Sequence, residues 1–270
     1  MSSKNPMGRA LITGASTGIG ATYADRLARR GYDLILVARD QQRMKALAGR
    51  LHEETSAVVE VLKADLTAKD DLARVEQRLR QDGDITLLLN NAGMAVSGEL
   101  ISVDPAQLEA MILLNVLAPT RLAAAAVGGF VTRGRGTLIN LSSVLALAPE
   151  LFNGSYSATK AYILNLTQSL QKETASKGVR VQAVLPGGTL TEIWQRAGTD
   201  ISQLPQAMFM KVDEMVDAAL AGLDAGELIT IPSLPDVAEW QAFTDARLKL
   251  GPNLSRNHPA ARYAATQPLT

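Results

Sequence analysis

Cysteine is absent and histidine nearly so: two of them, His52 and His258, stand far apart in a chain of 270 residues. Without cysteine there are no disulfides, no thiolate catalysis and no cysteine-bound zinc. Two distant histidines leave little for a His-based metal site or a Ser-His-Asp triad, so no metal is expected. An excess of either charge is also missing, because 27 basic residues meet 27 acidic ones. Nucleic acid is therefore not an expected partner, since gripping phosphates takes a clustered surplus of Lys and Arg. No signal-peptide core follows the N-terminal MSSKNPMGR, and a cytoplasmic enzyme is the first expectation. What is present, 47% apolar and 20% charged residues, suits a folded globular chain.

One stretch, residues 111–131, is apolar enough to suggest a membrane span, but it carries Asn115, Pro119 and Arg121. A mid-bilayer Arg is costly, so a buried helix is expected and a membrane is not.

Apolar runs and helical periodicities alternate along the chain. Residues 9–13, 33–38, 57–62, 85–90, 137–142, 179–185 and 227–231 read as strands. Ile19, Tyr23, Ala24, Leu27 and Ala28 mark one helical face, and Met44, Leu47, Ala48 and Leu51 a second. Leu72, Val75 and Leu79 mark a third; longer helical patterns run from about Pro105 to Phe130 and from about Tyr156 to Ser176. This order predicts an α/β fold: a doubly wound parallel sheet in a three-layer α/β/α arrangement. No repeat, low-complexity tract or dividing linker interrupts it, so one domain is expected.

In such a sheet, ligands bind beyond the carboxyl ends of the strands. Polar and glycine-rich residues fall at those ends: Gly14–Gly20, Arg39, Asp65, Asn90–Gly93, Ser142–Ser143 and Pro186–Thr191. The first turn, TGASTGIG, has Gly14, Gly18 and Gly20 where a backbone must approach a pyrophosphate closely, and a helix follows whose N-terminus favours an anion. Thr13, Ser16 and Thr17 add hydroxyls there. A ligand-free glycine-rich turn is the plain alternative. After the second strand stand Arg39 and, one helical turn on, Arg43, which would neutralise a 2′-phosphate and favour NADP(H). NAD(H) is the alternative if Asp40 serves the ribose instead. Asp65 is placed either to meet the adenine or to cap a helix with Lys69 nearby.

Tyr156 and Lys160 are spaced to share a helix face. A free phenol has a pKa near 10, and an adjacent ammonium is expected to lower it toward neutrality. Ser143, ending the fifth strand, offers a hydroxyl to polarise a carbonyl oxygen. Alone, Y-x-x-x-K is a weak signal.

Taken together, TGASTGIG (13–20), NNAG (90–93), Asn115 in LLNVLAP, LINLSS (138–143), YSATK (156–160) and PGGTLT (186–191) resemble the single-domain short-chain dehydrogenases/reductases, of the NADP-preferring type, over roughly residues 8–231. The resemblance implies a Rossmann-type domain over residues 1–231, with 232–270 an extension of the same domain. It implies Tyr156 as proton donor in reduction and base in oxidation, with Lys160 holding the nicotinamide ribose and depressing the phenol's pKa. Ser143 would orient the substrate oxygen, and Asn115 would hold a water in a proton relay. The cofactor would lie along Gly14, Ser16, Thr17, Gly18, Ile19 and Gly20, reach Arg39, Asp65 and Leu66, and pass Asn91, Ala92 and Gly93. Pro186, Gly187, Thr189 and Thr191 would meet its carboxamide end.

Residues 192–210 fall where a substrate lid would sit. Ile193, Trp194, Leu204, Met208, Phe209 and Met210, with Met94, Val96, Leu145, Leu147 and Phe152, would line an apolar pocket, although core packing explains them equally well. The expected substrate is an apolar ketone or aldehyde, or its alcohol. The helices around residues 121–129 and Tyr156 read as too apolar for full exposure, and the resemblance implies that they pack between subunits of a homodimer or homotetramer. A catalytically silent NADP(H)-binding regulatory protein is the competing reading; the intact Asn115, Ser143, Tyr156 and Lys160 set weighs against it, because a sensor needs none of them. A sugar epimerase or dehydratase would space its glycines differently, and an enoyl reductase its Tyr and Lys more widely.

Overall fold

The apolar runs become strands because each finds a layer of helices on both sides. The computed structural model describes residues 5–152, 154–198, 200, 202 and 204–263. Its elements begin β1 (Arg9–Thr13), α1 (Gly18–Arg29), β2 (Asp33–Ala38), α2 (Gln41–Thr55), β3 (Val59–Lys63), α3 (Lys69–Gln81) and β4 (Ile85–Asn90). Then come α4 (Pro105–Ile112), a π-helical turn (Leu113–Leu117), α5 (Ala118–Arg133), β5 (Gly136–Leu141), α6 (Gly154–Thr174) and β6 (Val179–Val184). A two-residue strand β7 (Gly188–Thr189), the short α7 (Ile193–Arg196) and β8 (Phe209–Met210) precede α8 (Val212–Asp224) and β9 (Ile229–Thr230).

The seven-stranded sheet has the order β3-β2-β1-β4-β5-β6-β9, with every neighbouring pair parallel. The direction of winding reverses between β1 and β4, so a crevice opens beyond their carboxyl ends. Side chains alternate across the sheet. Leu34 and Leu36 of β2 pack toward α1, α2 and α8, whereas Ile35 and Val37 pack toward α3 and α5. That two-sided burial explains why β2 reads DLILVA without a polar alternation. Each fully buried Leu or Ile contributes about 1.5–3 kcal/mol.

The apolar stretch 111–131 folds onto this sheet: Ala118, Leu122, Ala123, Ala126 and Phe130 are buried there. Arg121 pairs with the buried Glu76 of α3, its Nη2 donating at 2.9 Å. The helix widens to a π-turn over Leu113–Leu117, where Pro119 has no N–H to give the Asn115 carbonyl and its ring crowds that oxygen.

The chain divides into two compact units, Met1–Pro232 and Ser233–Thr270. In the second, Asp236 caps α9 (Val237–Lys249) by accepting from Ala238 N at 2.8 Å, and Trp240 stacks on Phe243 with centroids 5.4 Å apart. None of the residues of α9 is buried.

Candidate active site

Beyond β1 the chain turns through Gly14, whose φ of +66° is left-handed, and enters α1 at Gly18. A side chain on Gly14 would meet Asn91 Nδ2 at 2.8 Å, and one on Gly20 would meet the Gly14 carbonyl oxygen at 2.3 Å. The glycines therefore let this turn close onto the one after β4. Thr13 locks the two together: its Oγ1 accepts from the N–H groups of Asn91 and Ala92, both at 3.0 Å, and donates to the Leu89 carbonyl. Asn91 Nδ2 donates back to the Thr13 and Gly14 carbonyls at 2.8 and 3.2 Å. Thr13 and Asn91 thus hold the cradle together. The N-terminus of α1 has no side-chain cap and no acidic residue in its first turn, so its leading N–H groups and dipole suit a phosphate. Across from it, a side chain on Gly18 would come within 3.3 Å of the Thr191 methyl.

At the end of β2, Arg39 is 73% exposed and approaches Asp65 only at 4.0 Å. Arg43 is turned away from it: its Nη1 donates to both Glu192 carboxylate oxygens at 3.0 Å, tying α2 to the segment after β7. Asp40 is engaged as the N-cap of α2, accepting from Arg43 N at 3.0 Å. Asp65 shapes its own turn by accepting from Thr67 N and Oγ1 at 3.0 and 2.7 Å, and Ala68 is the N-cap of α3. Burial works against the Asp65 charge, yet the Thr67 bonds and the Arg39 charge hold its carboxyl below the ordinary value. Leu66 beside it is buried.

The reactive groups gather where β5 meets α6. Lys160 is buried, and its Nζ donates to the Leu141 carbonyl at 2.9 Å while lying 5.6 Å from the Tyr156 ring centroid. Ser142 Oγ donates to the Lys160 carbonyl at 2.7 Å, pinning α6 to the strand end. Ser143 is buried; its Oγ accepts from Leu145 N at 3.2 Å and reaches the Pro186 carbonyl at 3.4 Å. Asn115 Oδ1 accepts from Met94 N at 2.9 Å, while its Nδ2 donates to Met94 O at 2.8 Å and to Thr159 Oγ1 at 3.1 Å. Thr159 Oγ1 in turn donates to the Tyr156 carbonyl at 2.7 Å. Gly93 lies between these groups: a side chain there would meet Asn115 Oδ1 at 3.3 Å and Lys160 Nζ at 3.6 Å. Behind them, Asn90 Nδ2 donates to Asn140 Oδ1 and Asn140 Nδ2 to Thr167 Oγ1, both at 2.9 Å, tying β4, β5 and α6 together inside the protein.

One sequence expectation changes here. Lys160 does not bring the phenol down toward neutrality; burial holds Tyr156 above its ordinary value, and the same burial lowers Lys160 from 10.5 to about 8. The Asn115 amide bonds to Met94 and Thr159 and so holds the turn after Gly93 in place.

A cleft of about 520 Å³ lined by Gly98, Glu99, Leu100, Phe152 and Gly154 adjoins Tyr156 through the Phe152 ring. Of the apolar residues expected to line a pocket, Phe152 does so. Val96 is buried, Met210 packs against the core, and Met208 is 65% exposed. The segment after β6 is not a plain loop: β7 pairs with β8 in parallel, and Trp194 Nε1 donates to the Thr189 carbonyl at 2.8 Å. Thr189 is buried, and its Oγ1 donates to the Gly187 carbonyl at 3.2 Å. Glycines 98 and 154 and Leu100 carried no chemical signal in the sequence, whereas Ser142 and Thr159 lay inside motifs whose neighbours drew the attention.

The uncapped helix N-terminus and the glycines held open beside Asn91 and Thr191 fit a dinucleotide. A family model described as short chain dehydrogenase matches residues 9–202. A short-chain dehydrogenase from Sphingobium yanoikuyae, solved in complex with NADPH, is 51% identical, with a TM-score of 0.92 over 95% of this chain and 100% of its own. A bulky-bulky ketone specific alcohol dehydrogenase from Comamonas testosteroni is 47% identical, with a TM-score of 0.88 over 96% of this chain and 99% of its own. An uncharacterized oxidoreductase from Staphylococcus saprophyticus is 34% identical over 179 residues, 66% of this chain and 76% of its own. The chain belongs to the short-chain dehydrogenase family.

Proposed function

We propose that this enzyme is an NADP(H)-dependent oxidoreductase that interconverts a neutral, bulky ketone and its alcohol, with Tyr156 as the group that gives and takes the proton. The observation that carries this reading is the half-buried Tyr156 with the buried Lys160 beside its ring, joined through Phe152 to a cleft of about 520 Å³ and through Gly93 to the turn at the glycine cradle. Similarity to a chain solved with NADPH and to a ketone-specific alcohol dehydrogenase supports it.

The α1 N-terminus and the turns at Gly14–Gly20 and Asn91–Gly93 would hold the cofactor's phosphates and ribose, Arg39 its 2′-phosphate, and Thr189 and Thr191 its carboxamide end. The nicotinamide ring, when bound, supplies or accepts the hydride. Ser143 Oγ orients the substrate oxygen, and the Tyr156 hydroxyl delivers a proton to it in reduction. Because burial keeps Tyr156 protonated at neutral pH, reduction has its proton in place. Oxidation needs the phenolate, which forms more readily as pH rises. Asn115 is a positioning residue acting through Met94 and Thr159. The cleft's charged lining residue is Glu99, which suits a neutral substrate better than an anionic one.

Replacing Tyr156 with Phe tests the assignment. Ketone-dependent NADPH oxidation should fall roughly 10²–10⁴-fold, the usual worth of a positioned general acid, with NADPH affinity nearly unchanged. Retention of most of the turnover would overturn it. In the wild-type enzyme, reduction should be level through neutrality and oxidation should climb into the alkaline range.

A further inference from the structure

Four of the chain's aromatic rings form one continuous row that begins at Tyr156. Phe152 meets Tyr156 edge-on, with centroids 5.9 Å apart and planes at 83°. It also meets Trp194 edge-on at 6.3 Å and 88°, and Trp194 meets Phe209 at 5.6 Å and 81°. The far end of the row is fixed to backbone. Phe209 lies over Gly188, where a side chain would come within 3.1 Å of its ring, and Trp194 is held by its bond to the Thr189 carbonyl. The near end is Phe152, which both touches Tyr156 and lines the cleft. Each contact is perpendicular, the arrangement in which a ring's positive edge meets a negative face. A row anchored at one end and exposed to the cleft at the other presents a ring of fixed tilt next to the proton donor.

Resting on the reading of the cleft as a ketone site, we propose that Phe152, held in place by Trp194, is a specificity-determining residue. It selects ketones carrying an aryl group on the carbonyl carbon, by packing that ring against its own and so turning the carbonyl oxygen toward Tyr156. A saturated ring of the same size fills the volume but has no quadrupole to match, so the discrimination comes from ring electronics and not from fit.

The experiment compares benzophenone with dicyclohexyl ketone in NADPH oxidation by the intact enzyme, and repeats the pair with Phe152→Leu, which keeps apolar volume but removes the ring. The expected wild-type kcat/KM ratio favours the aryl ketone about fivefold, within the worth of one aromatic pair. The Phe152→Leu ratio should fall close to one, with the loss appearing in both kcat and KM because orientation is lost along with binding. Trp194→Leu should shrink the ratio as well. An equal ratio in wild type and Phe152→Leu overturns the inference while leaving the ketone reductase reading intact. If neither ketone is turned over, that reading fails, and the aromatic row is judged separately by fluorescence in a Trp240→Phe background. Benzophenone should then change Trp194 emission more than dicyclohexyl ketone does, and an equal response from both would overturn the proposed role.

Discussion

Replacing Lys160 with Met should stabilise this protein and silence it at once. The fall of the Lys160 pKa from 10.5 to about 8, caused by burial, is equivalent to about 3 kcal/mol against holding the charge inside the fold. Methionine has similar length and no charge, so that cost disappears. The Leu141 carbonyl loses its donor, which gives back about 1–2 kcal/mol. A net gain of about 1–2 kcal/mol remains, raising Tm by about 2–6 °C in a unit of this size. The pH dependence separates this cause from others. The folded pKa lies below the unfolded one, so between about 8 and 10.5 the unfolded chain still binds a proton that the folded one has released. Wild-type stability therefore rises through that window, and the full cost applies below it. Thermal unfolding of both proteins at pH 7 and pH 10 should show the variant's advantage large at pH 7 and mostly gone at pH 10, with turnover lost at both. A variant that melts lower at pH 7, or a gap that does not change with pH, would refute the reasoning.

Gly20→Ala places a methyl 2.3 Å from the Gly14 carbonyl oxygen and 2.6 Å from Asn91 Nδ2, so the cradle must open; NADPH affinity measured by titration should fall at least about tenfold, alongside a lower Tm. Arg39→Ala should raise the KM for NADPH roughly 10- to 100-fold through the lost charge-assisted bonds, and leave the KM for NADH nearly unchanged. Equal effects on both cofactors would assign the 2′-phosphate to another residue.

The sheet was readable because strands buried on both faces carry unbroken apolar runs, and five of seven were placed within a residue of where they lie. The edge strands were harder. β3 begins at Val59 rather than at residue 57, since Val58 is 61% exposed and its N–H is taken by the Asp33 carboxylate at 2.8 Å. β9 keeps only Ile229 and Thr230, paired on one side alone. Within the site, spacing located Tyr156, Lys160 and Ser143, because motif position and helix periodicity are local properties. What the side chains do there depends on partners far along the chain. That the asparagine at position 115 braces the turn at Met94 against Thr159 shows only once those two residues are brought to it by the fold. The apolar residues after β6 show the same limit: Met208 and Met210 are chemically identical, two apart, and turned one to solvent and one to the core.

The phenol's protonation is the most informative of these differences. Helical spacing brings an ammonium next to Tyr156 and suggests a lowered pKa, but that argument treats the pair as if it stood in water. Lys160 is buried and Tyr156 half-buried, and the loss of water penalises each charged form: it moves the phenol up and the ammonium down, so the neutral pair gains over the charged one. Both shifts have loss of water as their leading cause. The crevice at the N-terminus of α1 is built on the opposite plan, from glycines, backbone N–H groups and an exposed Arg39. Such a division is what the chemistry requires. On the proposed reading, a highly charged phosphate group would be held by dipoles and solvated cations, where desolvation would cost most, whereas the loss of water around Tyr156 would set which form of it meets the substrate.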